Sequence, residues 1–281
     1  MKKTFLLTSF VALLAAQSAF AANYIMQNVT PGYDWSGVKA FETDATIWKN
    51  AVLPTSGNHT LSMSSQYDST VSITTTSYSF TDVKIGRYDQ APFPTTLTLN
   101  VSQDLTATGL FKIGADGGSA VVDIIGAGTV VSAVGNVTIG DGTTVATGEL
   151  KLTSGSTFVT TSAFVMNSNS TVNVVDGTLK MLQTDIIGNV SLVMSEGAIL
   201  DLQGDSELWL TGDQTVVGSD FNTYLASGWI TSNGNTGAAN FSQVYDGTNT
   251  IVSVALVPEP ATYALLGGLL ALGSVMMRRR K

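Results

Sequence analysis

The chain has 281 residues, 44% of them apolar and only 12% charged, with 28 glycines, 6 prolines and no cysteine. That is enough apolar mass for a core and excludes a disordered tail; the missing cysteines exclude disulfides, thiolate metal sites, a Cys nucleophile and a lipid-anchored N-terminal Cys. The net charge of -8 hides an asymmetry, because 7 basic and 20 acidic residues lie between Ala22 and Val257, a balance of -13 that disfavours nucleic acid as a partner.

Taken in chain order, the first 21 residues form a three-part export signal. Lys2 and Lys3 precede an apolar core from Phe5 to Ala16, and Ala19 and Ala21 frame a small-residue cleavage site. This predicts a signal peptide over 1–21, removal by signal peptidase after Ala21, and passage through the inner membrane.

Residues 22–80 are expected to hold an N-terminal cap and a first coil. Here "IWKNAVLPTSGNHTLSM" places Trp48 ahead of Leu53, Pro54, Ser56 and Gly57 and then a strand. The stretch resembles the start of autotransporter-like secreted passengers, which implies a β-helical body.

Residues 81–212 repeat themselves. "VKIG" ends at Gly86, "FKIG" at Gly114, "VTIG" at Gly140, "FVMN" at Asn167, "DIIG" at Gly188 and "LWLTG" at Gly212, at spacings of 28, 26, 27, 21 and 24. Within each unit apolar and polar residues alternate, as in Leu97, Leu99 and Val101 against Thr98 and Asn100, and phrases such as "GDGTT" and "TSGST" mark turns. The expected fold is all-β: a right-handed parallel β-helix of five or six coils with capped ends, about 25 to 30 Å long at ~4.8 Å per coil. An antiparallel sandwich is the alternative, since strands at 8 to 12 residue intervals give a similar string. Leucine-rich repeats need a helix and a fixed Leu and Asn frame that the sequence lacks.

Residues 213–257 read as a C-terminal cap. Ser219 or Asp220 can cap a short helix with Phe221, Tyr224 and Leu225 on one face and Gly228 as its stop, and a hairpin turns at Asp246-Gly247. Beyond it, Ala261 to Met277 is an uncharged stretch of 17 residues, about 26 Å as a helix, followed by Arg278, Arg279, Arg280 and Lys281. The span predicts a single transmembrane helix over 261–277 in the inner membrane, with the basic tail 278–281 on the cytoplasmic side. Val257, Pro258, Glu259 and Pro260 stand before it. This triplet, apolar helix and terminal Arg cluster together resemble the PEP-CTERM sorting signal of Gram-negative bacteria, also labelled an ice-binding-protein C-terminal segment. The resemblance implies recognition by an exosortase, cleavage near the triplet, and a final place at the cell surface or outside the cell, often among exopolysaccharide. The helix is then a transient or retained anchor.

Chemistry-bearing residues are sparse. His59 is the only histidine and sits in a "GNHT" turn. Asp116, Asp123, Asp141 and Asp176 invite comparison with carbohydrate-active β-helix enzymes that use clustered Asp, but most adjoin Gly in turn phrases, and Arg87 is the body's one arginine. Glu196, Asp201, Asp205 and Glu207 offer oxygen ligands without a calcium-loop spacing. Trp35, Trp48, Trp209 and Trp229 either fill coils and caps or stack on sugars, and the Thr-rich runs do not recur in register as an ice-ordering face requires. We therefore expect no catalytic residue, cofactor or metal, and a structural or adhesive role with extracellular polysaccharide as a partner. A carbohydrate-active lyase or hydrolase, or a glycan or ice binder, are the alternatives.

Overall fold

The computed structural model describes residues 23–26, 37–48, 52–64, 68–87, 96–114, 117–141, 146–182 and 192–255. The chain enters through β1 (Asn23–Met26), β2 (Val38–Ala40), a 3-10 turn at Ala45–Ile47 and β3 (Thr60–Ser64). Five complete coils follow, each giving one strand to sheet B, one to sheet C and one to sheet A. They are β4 (Ser69–Ile73), β5 (Tyr78–Phe80) and β6 (Asp82–Arg87); β7 (Thr96–Val101), β8 (Leu105–Ala107) and β9 (Phe111–Ile113); and β10 (Ser119–Ile125), β11 (Val130–Ala133) and β12 (Val137–Ile139). Then come β13 (Gly148–Thr153), β14 (Thr157–Thr160) and β15 (Phe164–Met166), and β16 (Ser170–Val175), β17 (Thr178–Met181) and β18 (Leu192–Met194). The end is built from β19 (Ile199–Gln203), β20 (Glu207–Thr211), helix α1 (Asp220–Ala226), β21 (Ile230–Ser232), and the hairpin β22 (Phe241–Tyr245) and β23 (Asn249–Val254).

Sheet A runs β1-β3-β6-β9-β12-β15-β18, sheet B runs β2-β4-β7-β10-β13-β16-β19-β21, and sheet C runs from β5 to β20 and closes with the hairpin. Every strand ladder up to β21 is parallel, while β23 pairs antiparallel with both β20 and β22. This is a β-solenoid, and the parallel pairing rules out the sandwich.

The period-2 alternation explains why the coils stack. Val71, Leu99, Val122, Leu150, Val172 and Leu200 lie in register on sheet B, all fully buried. Phe111, Phe158 and Phe164 pack edge to face in the interior, with ring centroids 5.5 and 6.1 Å apart. Each apolar side chain thus meets its equivalents above and below, and the core is one column shared by all coils.

The repeat is more regular than its phrases suggest. Gly114 N donates to Ile85 O, Gly140 N to Ile113 O, Asn167 N to Ile139 O and Ser195 N to Met166 O, each at 2.8 or 2.9 Å. The structural marker after sheet A therefore runs Gly86, Gly114, Gly140, Asn167, Ser195, at spacings of 28, 26, 27 and 28. "DIIG" at 185–188 is not one of these positions. It falls in the connection between β17 and β18, outside the described residues, and Gly212 follows a sheet C strand. "DIIG" imitates the repeat phrase, whereas Ser195 makes the same backbone bond without the positive φ of Gly86, Gly114 and Gly140.

At the C-terminal end, Ser219 Oγ accepts from Asn222 N at the start of α1, whose Phe221 and Leu225 are buried. Tyr224 stacks on Trp229 with centroids 5.6 Å apart and donates its hydroxyl to Leu192 O, fixing the helix over the end of sheet A. Among the described residues no helix is long and apolar enough to cross a membrane. The segments 1–21, 258–260, 261–277 and 278–281 lie outside the described residues.

Candidate functional site

The coil geometry sorts the carboxylates into two groups. Five accept a backbone N–H from a neighbouring coil. Asp68 takes Thr96 N (2.6 Å), Asp82 takes Leu110 N (2.9 Å), Asp104 takes Val130 N (2.8 Å), Asp141 takes Gly117 N (2.6 Å) and Asp176 takes Asp205 N (2.9 Å). These are charge-assisted staples between rungs, and they commit Asp141 and Asp176 to the scaffold. Asp116 lies outside the described residues.

Asp123 is different. It points outward from the middle of β10, in a ladder that reads Ser72, Asn100, Asp123, Lys151, Asn173, Asp201 and Thr231 across sheet B. One rung away, Lys151 Nζ turns to Glu149 Oε1 at 3.4 Å on its own strand, and Glu149 Oε1 also accepts from Asn173 Nδ2 at 2.8 Å. Asp123 Oδ1 is left buried without a hydrogen bond. Burial pushes the Asp123 carboxyl above its ordinary value; Lys151 pulls it back and the negative Glu149 pushes it up again. The far end of the ladder is closed off, because Asp201 accepts from Thr231 Oγ1 (2.7 Å), Gly234 N (3.0 Å) and Gln203 Nε2 (2.6 Å). The face therefore presents one under-satisfied carboxyl, one carboxylate, one ammonium and two amides on a rigid sheet. Such a set can exchange hydrogen bonds with hydroxyl-rich ligands and can hold a proton at Asp123.

Sequence reading singled out Asp123 but not Glu149, Lys151 or Asn173. Their grouping depends on parallel register, which becomes readable only once the coil boundaries are known. Two open depressions on the described surface lie elsewhere, one by Asn233, Asn235 and Asn240 at the C-terminal cap and one by Asp68, Thr70 and Thr98. Neither contains Asp123.

The other residues marked by the sequence are dispersed. His59 packs its ring against Tyr24, edge to face at 5.2 Å. Glu196 lies in a turn and Asp205 in a corner, Asp201 is tied into the cap, and Glu207 accepts from Trp209 Nε1 at 2.9 Å. Among the described residues no group of three His, Cys, Asp or Glu side chains is placed to hold a metal ion. Trp48 is buried, Trp229 is stacked on Tyr224, and Trp209 carries Lys180 Nζ 4.4 Å above its ring; Trp35 lies outside the described residues. No threonine array forms on sheet B, where Thr70 and Thr98 are followed by Val121 and Glu149.

The sorting residues Val257, Pro258, Glu259, Pro260, Arg278, Arg279, Arg280 and Lys281, like Ala19 and Ala21, lie outside the described residues. The chain leaves the cap at Ala255, whose N–H is held by Asn240 O at 2.8 Å. A family model described as the PEP-CTERM protein-sorting motif matches residues 256–281. The chain carries a PEP-CTERM sorting motif. The PEP-CTERM motif implies processing by exosortase, export, and a cell-surface or extracellular location. It begins one residue after Ala255, and the β-solenoid precedes it in the chain. No curated protein and no solved structure matches the chain.

Proposed function

We propose that the solenoid is a structural or adhesive, non-catalytic component of an extracellular polysaccharide layer. In this reading a signal peptide over 1–21 starts export, residues 261–277 hold the protein in the inner membrane, and exosortase acts near Pro258-Glu259-Pro260. The observation that carries it is the sorting motif placed directly behind a capped, rigid rod. The carboxylates support it, because Asp68, Asp82, Asp104, Asp141 and Asp176 serve as staples between coils. Intact-mass measurement of the exported protein tests the route: the expected product begins at Ala22 and ends near Pro258, and one that retains Arg280 refutes processing.

Asp123, Glu149 and Lys151 on one sheet face favour a second reading, a carbohydrate-active enzyme in which Asp123 donates a proton. Incubation with a panel of polysaccharides separates the two. New reducing or unsaturated ends, lost in Asp123→Asn, would replace the structural reading with the enzymatic one.

A further inference from the structure

We propose that the outward face of sheet A binds an acidic polysaccharide, with Lys84 and Lys112 contacting carboxylates on successive sugars along the rod. The proposal deepens the polysaccharide-layer reading and rests on it.

Cations are scarce in the body, and three of those described are engaged. Lys151 pairs with Glu149, Lys180 lies over Trp209, and Lys39 also has a partner. The side chains of Lys84 and Lys112 have neither a hydrogen bond nor an ion pair among the described residues, and these two stand directly opposite each other in the β6 and β9 ladder. Like charges facing each other at the strand spacing of about 4.8 Å repel, so the pair weakens the sheet unless a counter-charge joins it. The rungs on either side show the neutral choice, with Ser62 before Lys84 and Thr138 after Lys112. The carboxylate on the same face of β6, Asp82, is occupied by Leu110 N.

The missing anion is thus supplied from outside, and its geometry follows from the ladder. Two half-buried lysines on a parallel sheet suit a linear polymer whose carboxylates recur near the strand spacing. The body's acidic residues do not forbid this contact: the near one, Asp82, is bonded to Leu110 N, and charges more than about 8 Å away are screened at physiological salt. Duplex DNA fits worse, since it carries one charge per about 1.7 Å and gains affinity from many phosphate contacts rather than two.

The test uses the exported protein with immobilised polygalacturonate, dextran and duplex DNA as probes. Retention on polygalacturonate that falls with added salt, absent on dextran, is the expected result. The double variant Lys84→Gln/Lys112→Gln loses about tenfold or more in affinity. Lys84→Arg/Lys112→Arg retains binding, as does the control Lys180→Gln, and circular dichroism reports whether each variant keeps its fold. No retention on polygalacturonate, equal retention on dextran, unchanged affinity of the double Gln variant, or DNA binding with the same lysine dependence would each overturn the proposal. Failure here is separable from failure of the broader reading: a protein found at the surface and retained only by dextran sinks the Lys84–Lys112 stripe alone.

Discussion

At the scale of single residues, the body contrasts carboxylates that stabilise the rod with one that strains it. Asp82, Asp104 and Asp176 each receive a backbone N–H, so their charge is matched. Asp123 has a buried oxygen with no donor, and burial raises its pKa. The linkage has a definite sign. A carboxyl whose folded pKa lies above the unfolded value, about 3.9, opposes folding once pH rises past that value, because the unfolded chain ionises more easily. Asp123→Asn removes the charge and adds an N–H donor within the same outline. The variant should melt a few degrees higher than the parent at pH 7, and the difference should vanish as pH falls below about 4, where Asp123 is neutral in both states. Thermal unfolding at several pH values measures this, and a variant no more stable than the parent at pH 7 contradicts the account. The same variant removes the proton donor required by the enzymatic reading, so stability and activity are read from one protein.

At the scale of elements, the corners decide whether coils can stack. Gly114 ends the sheet A strand of its coil with φ +70°, and a Cβ there would lie 2.5 Å from Thr147 O. Both the backbone conformation and the closeness of the next coil exclude a side chain. Gly114→Ala should therefore destabilise the protein by about 1 to 3 kcal/mol, visible as a lower denaturant midpoint without a change of slope. An unchanged midpoint would mean that the corner yields. This Gly is also why much of the fold was legible: "FKIG" and "VTIG" announce a strand, an inward Ile and a positive-φ corner in four letters. Alternation in "TLTLNV" shows which face of β7 is buried, and Ser219 with Phe221 and Leu225 marks α1. Legibility failed where chemistry could substitute for glycine. Ser195 closes its coil with a backbone bond to Met166 O like that of Asn167 to Ile139 O, and without a Gly it looks unlike the repeat phrase that "DIIG" at Gly188 imitates. The candidate site suffered from the same limit. Asp123 was visible as a residue type, but Glu149, Lys151 and Asn173 become its neighbours only through a register that one misplaced coil scrambles.

At the scale of the whole molecule, a solenoid behaves as a one-dimensional stack in which each coil is held chiefly by those beside it. Its weak points are then the two ends, where a parallel sheet would expose unpaired N–H and C=O groups to any passing strand. The C-terminal end solves this by topology. After β20 the chain crosses over as α1, adds β21 to sheet B, and returns as the β22–β23 hairpin, with β23 laid antiparallel along β20. The seal is packed: Val252 is fully buried, Thr250 Oγ1 donates to Gly212 O at 2.7 Å, and Phe221 meets Phe241 edge to face at 6.3 Å. The cap closes the described solenoid ahead of the sorting motif, and its closure is expected to keep the coils from pairing edge to edge with another chain. A chain ending at Thr211 would leave the edges of β19 and β20 open together with the apolar residues that α1 covers. Size-exclusion chromatography with light scattering should find such a chain in higher oligomers or aggregates, while the chain extending to Ala255 elutes as a single species. A monomeric truncated chain would show instead that the coils seal themselves and that the cap serves some purpose other than closure.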